Sequence, residues 1–195
     1  KLASSAAHLF GRPQVWAEEG GGTGVDGKYQ MNFQLVRGVD ALQLRVSGLR
    51  AGGPGAASGP PPPDATQTLW YANRASYLMA IGRPAAQVAL YHPGNTIWLG
   101  GAAAQEADRS TTKLGWQLFE HQVDWDYFDE QSLSSVATIE NGGFKNLSGQ
   151  TYKAIVLPSM TVITRAGLER LKEFAKAGGK VNDVASQWQA NAADL

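Results

Sequence analysis

The chain has 195 residues in which 17 Lys+Arg balance 17 Asp+Glu, so no net field draws it to nucleic acid or to a membrane surface. Cys is 0, which excludes thiol nucleophiles, disulfides and Cys-ligated zinc together. A hydrophobic content of 43% can fill the core of one large domain, or of one domain and part of another, and no stretch approaches the ~20 apolar residues of a membrane span.

The first seven residues carry one charge and small side chains without a long apolar run, so no signal peptide is read there. A mature exported enzyme, periplasmic or extracellular, or a piece of a longer chain would begin the same way. Residues 3–10 are helix-compatible, and Gly11-Arg12-Pro13 ends them. Residues 14–17 read as a buried strand that carries Glu18 and Glu19 to its carboxyl end, next to Gly20-Gly21-Gly22-Thr23-Gly24. Carboxylates at a strand end beside a flexible loop are where an α/β enzyme keeps its chemistry, and a charged loop entrance is the plain alternative. The glycines lack the Gly-Lys-Ser/Thr ending of a phosphate loop and do not meet the dinucleotide-binding spacing.

Residues 26–39 place Tyr29, Phe33 and Val36 at helical spacing, with Gly38 to close the helix. Residues 41–46 alternate as a strand that ends on Arg45 and Val46. Gly52-Gly53-Pro54-Gly55 and Pro60 to Pro63 then mark a linker or surface loop. This divides the chain into 1–50, a Gly/Pro-rich 51–65, and 66–195. Asp64 or Thr66 opens the next helix, which ends near Gly82-Arg83-Pro84, and residues 87–91 form a strand that delivers His92-Pro93-Gly94-Asn95 to its end.

Ser110 or Thr111 starts a helix that runs to His121. Residues 123–128 alternate apolar and acidic as a strand nearer the edge, with Asp124 and Asp126 on one face. With Asp129 and Glu130 these acids suggest a metal cluster, but the spacing is not that of an EF-hand and a solvated strand face is the expectation. Residues 130–139 read as helix, stopped by Asn141 or Gly142. Ala154-Ile155-Val156-Leu157 is a continuous apolar run, the signature of a strand buried on both faces of a parallel sheet. The helix after it is capped by Thr164, turns Leu168, Leu171, Phe174 and Ala175 inward, and ends at Gly178-Gly179. Lys180-Val181 completes a βαβ unit before Asn182-Asp183 interrupts the strand, and 186–195 read as a frayed end.

The three histidines, His8, His92 and His121, have no mutual ligand spacing. His8 is read as closing a helix end, His121 as lying on a helix face or end, and His92 as the best placed for function. Ser159 follows a buried strand and His92 is within reach across a sheet, which opens an esterase reading, although Gly-x-Ser-x-Gly is absent. Most of Trp16, Trp70, Trp98, Trp116, Trp125 and Trp188 are expected in the core, with sugar stacking as the alternative.

Taken in order, these segments resemble one family. Ala6-Ala7-His8-Leu9-Phe10-Gly11-Arg12-Pro13 followed by Gln14-Val15-Trp16-Ala17-Glu18 is similar to a late barrel segment of the bacterial α-L-rhamnosidases, glycoside hydrolases in which such a helix leads to a strand bearing a glutamate. Asn73-Arg74-Ala75-Ser76-Tyr77-Leu78 through Val88-Ala89-Leu90-Tyr91, and Tyr152-Lys153-Ala154-Ile155-Val156-Leu157-Pro158 through Gly178-Gly179-Lys180-Val181, resemble the domain behind that barrel. That domain is flavodoxin-like and akin to class I glutamine amidotransferases. The resemblance implies an α/β fold, a flavodoxin-like three-layer parallel sheet preceded by a partial (β/α) barrel-like segment.

The implied activity is hydrolysis of O-glycosidic bonds in plant or microbial carbohydrates by a pair of carboxyl groups, the chain being either a piece of a longer enzyme or a segment recast into a small α/β protein. Glu18 is the residue carried over, as one of the two catalytic carboxyl groups and as ligand of a calcium ion, with Glu19 beside it. Arg45, His92 and Asn95, at strand ends, are the substrate-binding candidates. The implied partner is a carbohydrate, with neither nucleic acid nor membrane, and self-association is left open. Two other classes compete: a non-catalytic accessory or oligomerisation module, and a small serine esterase using Ser159 and His92.

Overall fold

The computed structural model describes residues 1–19, 24–44 and 63–183. They form two compact units, one of Pro13–Pro84 with Lys1 and Ala3, the other of Ala85 onward with Leu2 and Ser4–Arg12. The chain opens on helix α1 (Leu2–Leu9), which therefore packs in the second unit while the strand that follows it belongs to the first.

In the first unit, strand β1 (Trp16–Glu19) and strand β2 (Ala41–Leu44) pair in parallel, joined by helix α2 (Gly24–Leu35) and followed by helix α3 (Pro63–Ile81). Proline suits the first turn of α3 because its missing N–H would have no partner there, and Asp64 complements the positive end of the helix. The buried face of α2 is Gly27, Met31 and Leu35, one residue in four. The expected face of Tyr29, Phe33 and Val36 is corrected: Tyr29 and Val36 are exposed, and Phe33 lies under the Arg37 guanidinium, 3.3 Å from its ring centroid. Trp16, expected in a buried strand, is 60% exposed. Helix α3 groups with this unit rather than with 66–195, so the second unit begins at Ala85. The linker positions up to Pro62, and Val46, lie outside the described residues.

The second unit is built on four parallel strands: β3 (Val88–Tyr91), β4 (Trp125–Phe128), β8 (Ala154–Leu157) and β9 (Lys180–Asp183), in the order β4-β3-β8-β9. A smaller antiparallel sheet of β5 (Thr138–Glu140), β6 (Gly143–Lys145) and β7 (Thr151–Tyr152) stands beside it. The register aligns Leu90 with Tyr127 and Val88 with Trp125, so these four share one face. Helix α5 (Gly101–Glu120) covers that face, coming close at Gly115, where a Cβ would lie 2.9 Å from the Trp125 ring. The opposite face carries Tyr91, Phe128, Ile155 and Leu157 into a core completed by Leu9 of α1, Leu133, Phe144, Tyr152, and Leu171 and Phe174 of helix α6 (Arg165–Lys176). Thr164 caps α6 as expected, its Oγ1 accepting from the Gly167 N–H at 3.0 Å.

Several expectations change. Helix α5 begins at Gly101, not at Ser110, and a short helix α4 (Gly94–Leu99) precedes it, because Gly100 and Gly101 take φ of 75° and 73° and break the run. The expected helix over 130–139 is a π turn at Ser132–Val136 that gives way to β5. Strand β9 includes Asn182 and Asp183, and Leu168 of α6 is exposed rather than inward. Of the tryptophans only Trp125 is buried among the described residues; Trp16, Trp70, Trp98 and Trp116 are exposed, and Trp188 lies outside the described residues.

Phe174 stacks on Phe144 with ring centroids 4.1 Å apart, and a Cβ on Gly179 would overlap the Phe174 ring. Gly179→Ala is therefore expected to cost about 1–3 kcal/mol by overpacking, read as a lowered melting temperature with the far-ultraviolet spectrum unchanged.

Candidate functional site

Glu18 and Glu19 are the last two residues of β1, paired in register with Gln43 and Leu44. The Glu18 side chain is exposed, on the same face as Trp16 by strand alternation. Arg45, which follows β2 directly, lies outside the described residues. A groove of about 660 Å³ runs between β2 and α3, lined by Asp40, Leu42, Leu69, Asn73, Ser76 and Tyr77. It does not include Glu18, so the concavity and the exposed carboxylate are separate features of this unit. Among the described residues no group of three or more His, Asp or Glu is placed to hold a metal, so Glu18 and its described neighbours do not by themselves make a calcium site.

The other candidates lie at the carboxyl ends of the second sheet. His92 follows β3, half-buried, its N–H donating to the Phe128 carbonyl at 2.7 Å and its ring edge-on to Tyr127. Asn95 Nδ2 donates to Glu130 Oε2 at 3.3 Å. Glu130, which the sequence placed only among solvated acids, also accepts from the Tyr91 hydroxyl at 2.6 Å and from Thr164 Oγ1. A Cβ on Gly167 would collide with its carboxylate, so glycine there lets the acid sit against the first turn of α6, where the helix dipole favours negative charge. Burial first, and then the bond to Glu130, raise the Tyr91 phenol far above its usual range. Asn95 is thus held to a structural carboxylate.

Ser159 does not meet His92. Its backbone N–H donates to Ser110 Oγ at 2.9 Å, and among the described residues no hydrogen bond joins the two side chains. His121, as expected, closes a helix end, its Nδ1 lying 2.9 Å from the Gln117 carbonyl.

Asp126 overturns its reading as part of a solvated face. It is 0% exposed and gathers Ser5 Oγ at 3.0 Å, His8 Nδ1 at 3.0 Å, the Tyr152 hydroxyl at 2.9 Å and Gln150 Nε2 at 3.5 Å. Asn146 donates in turn to the Tyr152 oxygen at 3.1 Å. Burial, with the adjacent Asp126 charge, pushes the Tyr152 phenol far up. His8 therefore does more than close α1: it bonds to a carboxylate 118 residues away. Nothing in the alternation of β4 marks Asp126 as the buried acid, since its donors come from distant segments.

A sequence model of the alpha-L-rhamnosidase family matches residues 63–193. The chain belongs to that family. The solved structure of a rhamnosidase from Novosphingobium sp. PP1Y is similar in fold, with a TM-score of 0.60 and 21% identity over 98% of this chain and 20% of that one. This rhamnosidase-family chain thus spans about a fifth of that enzyme's length. No curated protein matches it significantly. The sequence-level resemblance to α-L-rhamnosidases is borne out, as is the mixed α/β class with parallel sheets. The family match takes in α3 and the second unit from Ala85 on, while α1 and Glu18 lie outside it.

Two outcomes follow from the carboxylate clusters. Glu130→Ala leaves the Tyr91 hydroxyl without its acceptor and is expected to cost about 1–3 kcal/mol, measured by urea unfolding. Tyr91 and Tyr152 have folded pKa values raised above the 10.0 of an ordinary tyrosine, so their contribution to stability is complete below that pH and is lost as pH rises through the folded values. Alkaline titration followed by phenolate absorbance should show these two ionising only as the protein unfolds; early ionisation of all 6 tyrosines would contradict the bonds.

Proposed function

We propose that the chain takes part in hydrolysing an O-glycosidic bond of a plant or microbial carbohydrate, within a longer rhamnosidase-type polypeptide, and that Glu18 is one of the two carboxyl groups the reaction needs. The observation that carries this reading is the family match, joined to an exposed glutamate at the carboxyl end of a parallel strand, where α/β enzymes place their reacting groups. Glu18 would protonate the leaving oxygen or activate water, and the second carboxyl group comes from residues beyond those described. Glu19 is the adjacent acid of the same strand end, and Arg45, which follows β2 in the sequence and lies outside the described residues, is kept as a substrate-binding candidate. A bound calcium ion would take Glu18 among six to eight oxygen ligands, holding the sugar and neutralising charge, and would need ligands from outside the described set.

The finer architecture in this reading is a flavodoxin-like second unit and a first unit that is part of a (β/α) barrel. The order β4-β3-β8-β9 supports the former, being second, first, third and fourth in the unit's own sequence of parallel strands. The parallel β1-β2 pair with a crossover helix supports the latter, since two such strands cannot close a barrel alone. One observation favours an accessory role for the second unit. Tyr91, Asn95 and Thr164, which converge at its strand ends, all bond Glu130. Asn95 then serves the scaffold, and with no hydrogen bond between Ser159 and His92 among the described residues nothing favours the esterase reading.

Aryl rhamnosides, other aryl glycosides and aryl esters, assayed with the chain, Glu18→Gln and Ser159→Ala, test this. Glycoside cleavage by the chain in its full polypeptide, reduced about a hundred- to ten-thousand-fold in Glu18→Gln and unchanged in Ser159→Ala, is expected. Full activity in Glu18→Gln would overturn the assignment.

A further inference from the structure

In the first unit β1 and β2 run in register, Trp16 beside Ala41 and Glu18 beside Gln43, and the side chains of a strand alternate between its two faces. Trp16, Glu18, Ala41 and Gln43 therefore share one face. Leu42 and Leu44, on the other, line the groove against α3. Trp16 is 60% exposed, and Glu18 and Gln43 are exposed with it. Two residues of strand place the indole about 6.6 Å of backbone before the acid, and the carboxamide lies one strand spacing, about 4.8 Å, to its side. One face thus gathers an aromatic ring, a carboxylate and an amide.

A protein partner docking here would need more apolar bulk around the indole, since the core of such an interface is depleted of charge. The cross-strand neighbour of Trp16 is only Ala41, and the next residue of β1 on that face is the acid. A sugar ring suits the mixture better. Its C–H face packs on an aromatic face, and its rim of hydroxyls needs an acceptor, which a carboxylate supplies, and a group that both donates and accepts, which an amide supplies. The step from indole to acid is roughly the span of one such ring. Trp70, also exposed in this unit, stands on α3, which lies on the opposite side of β2.

We infer that Trp16 is a substrate-binding residue of the proposed glycosidase, its indole the platform on which the C–H face of the sugar ring rests, with Gln43 bonding a hydroxyl of the same ring beside Glu18. The occupant of this face is the sugar of a glycoside, and the family match makes an α-L-rhamnoside the probe to use. The catalytic consequence rests on the assignment of Glu18 above; the contact between sugar and indole does not.

Titrating the full chain, with its tryptophans labelled by nitrogen-15, with methyl α-L-rhamnoside reads that contact through the indole N–H resonances, Trp16 being assigned by the peak lost in Trp16→Phe. The Trp16 resonance is expected to shift and saturate while those of Trp70, Trp98 and Trp116 stay in place. In the longer polypeptide, Trp16→Ala should raise KM for an aryl rhamnoside about tenfold with kcat nearly unchanged, since the contact is made equally in ground and transition states, and Trp16→Phe should recover most of the loss. The melting temperature should hold at the wild-type value, as for an exposed side chain. A Trp16 resonance that does not move, an equal response of every exposed indole, or a Trp16→Ala variant with a lowered melting temperature and wild-type KM would each overturn the inference. A saturating shift at Trp16 together with full activity in Glu18→Gln would keep the sugar platform and remove the catalytic assignment of Glu18.

Discussion

A carboxylate removed from water has to be met by donors or it unfolds what surrounds it, and Asp126 is such a group. It stands on β4, an edge strand of the parallel sheet, where solvent would ordinarily satisfy an acid. Instead its partners arrive from three places: α1 at the start of the chain, Gln150 in the turn before β7, and Tyr152 on β7. The small antiparallel sheet and the first helix are thereby tied to the large sheet through one side chain. Removing any single donor leaves the acid's desolvation incompletely repaid, which is why this polar cluster constrains the fold more than its net bond energies suggest.

The same device recurs one turn of chain later. Glu130, just beyond β4, accepts a tyrosine hydroxyl from β3 and a threonine hydroxyl from the cap of α6. Each acid therefore has a phenol donor whose proton is held firmly, Tyr152 for Asp126 and Tyr91 for Glu130. These pairs close the second unit around its aromatic core of Phe128, Phe144, Tyr152 and Phe174. The first unit shows a two-stranded parallel sheet, exposed Trp16, Trp70 and Tyr77, and a groove beside β2.

What could be read from the sequence follows the range of the forces involved. The run Ala154-Ile155-Val156-Leu157, the Thr164 cap and the Leu171/Phe174 face are local signals, and β8 and α6 are where they were expected. The helix boundary at Gly100-Gly101 was missed because its cause is two left-handed backbone angles within an otherwise helical composition. The antiparallel β5-β6-β7 sheet was missed because its strands are two or three residues long and stabilised by pairing rather than by pattern. Asp126 was misread for the opposite reason, its strand being plain and its partners remote. The family was legible from the order of short motifs, whereas no motif in the sequence marks a second acid to pair with Glu18.

Whether α1 is held to the second unit through Asp126 is read most directly by a double-mutant cycle of His8→Ala and Asp126→Asn, with stability measured by urea unfolding. A coupling free energy of about 1–3 kcal/mol is predicted, as for groups that share one buried network. Additivity of the two substitutions to within about 0.3 kcal/mol would show that the pair does not hold the helix and would contradict the account.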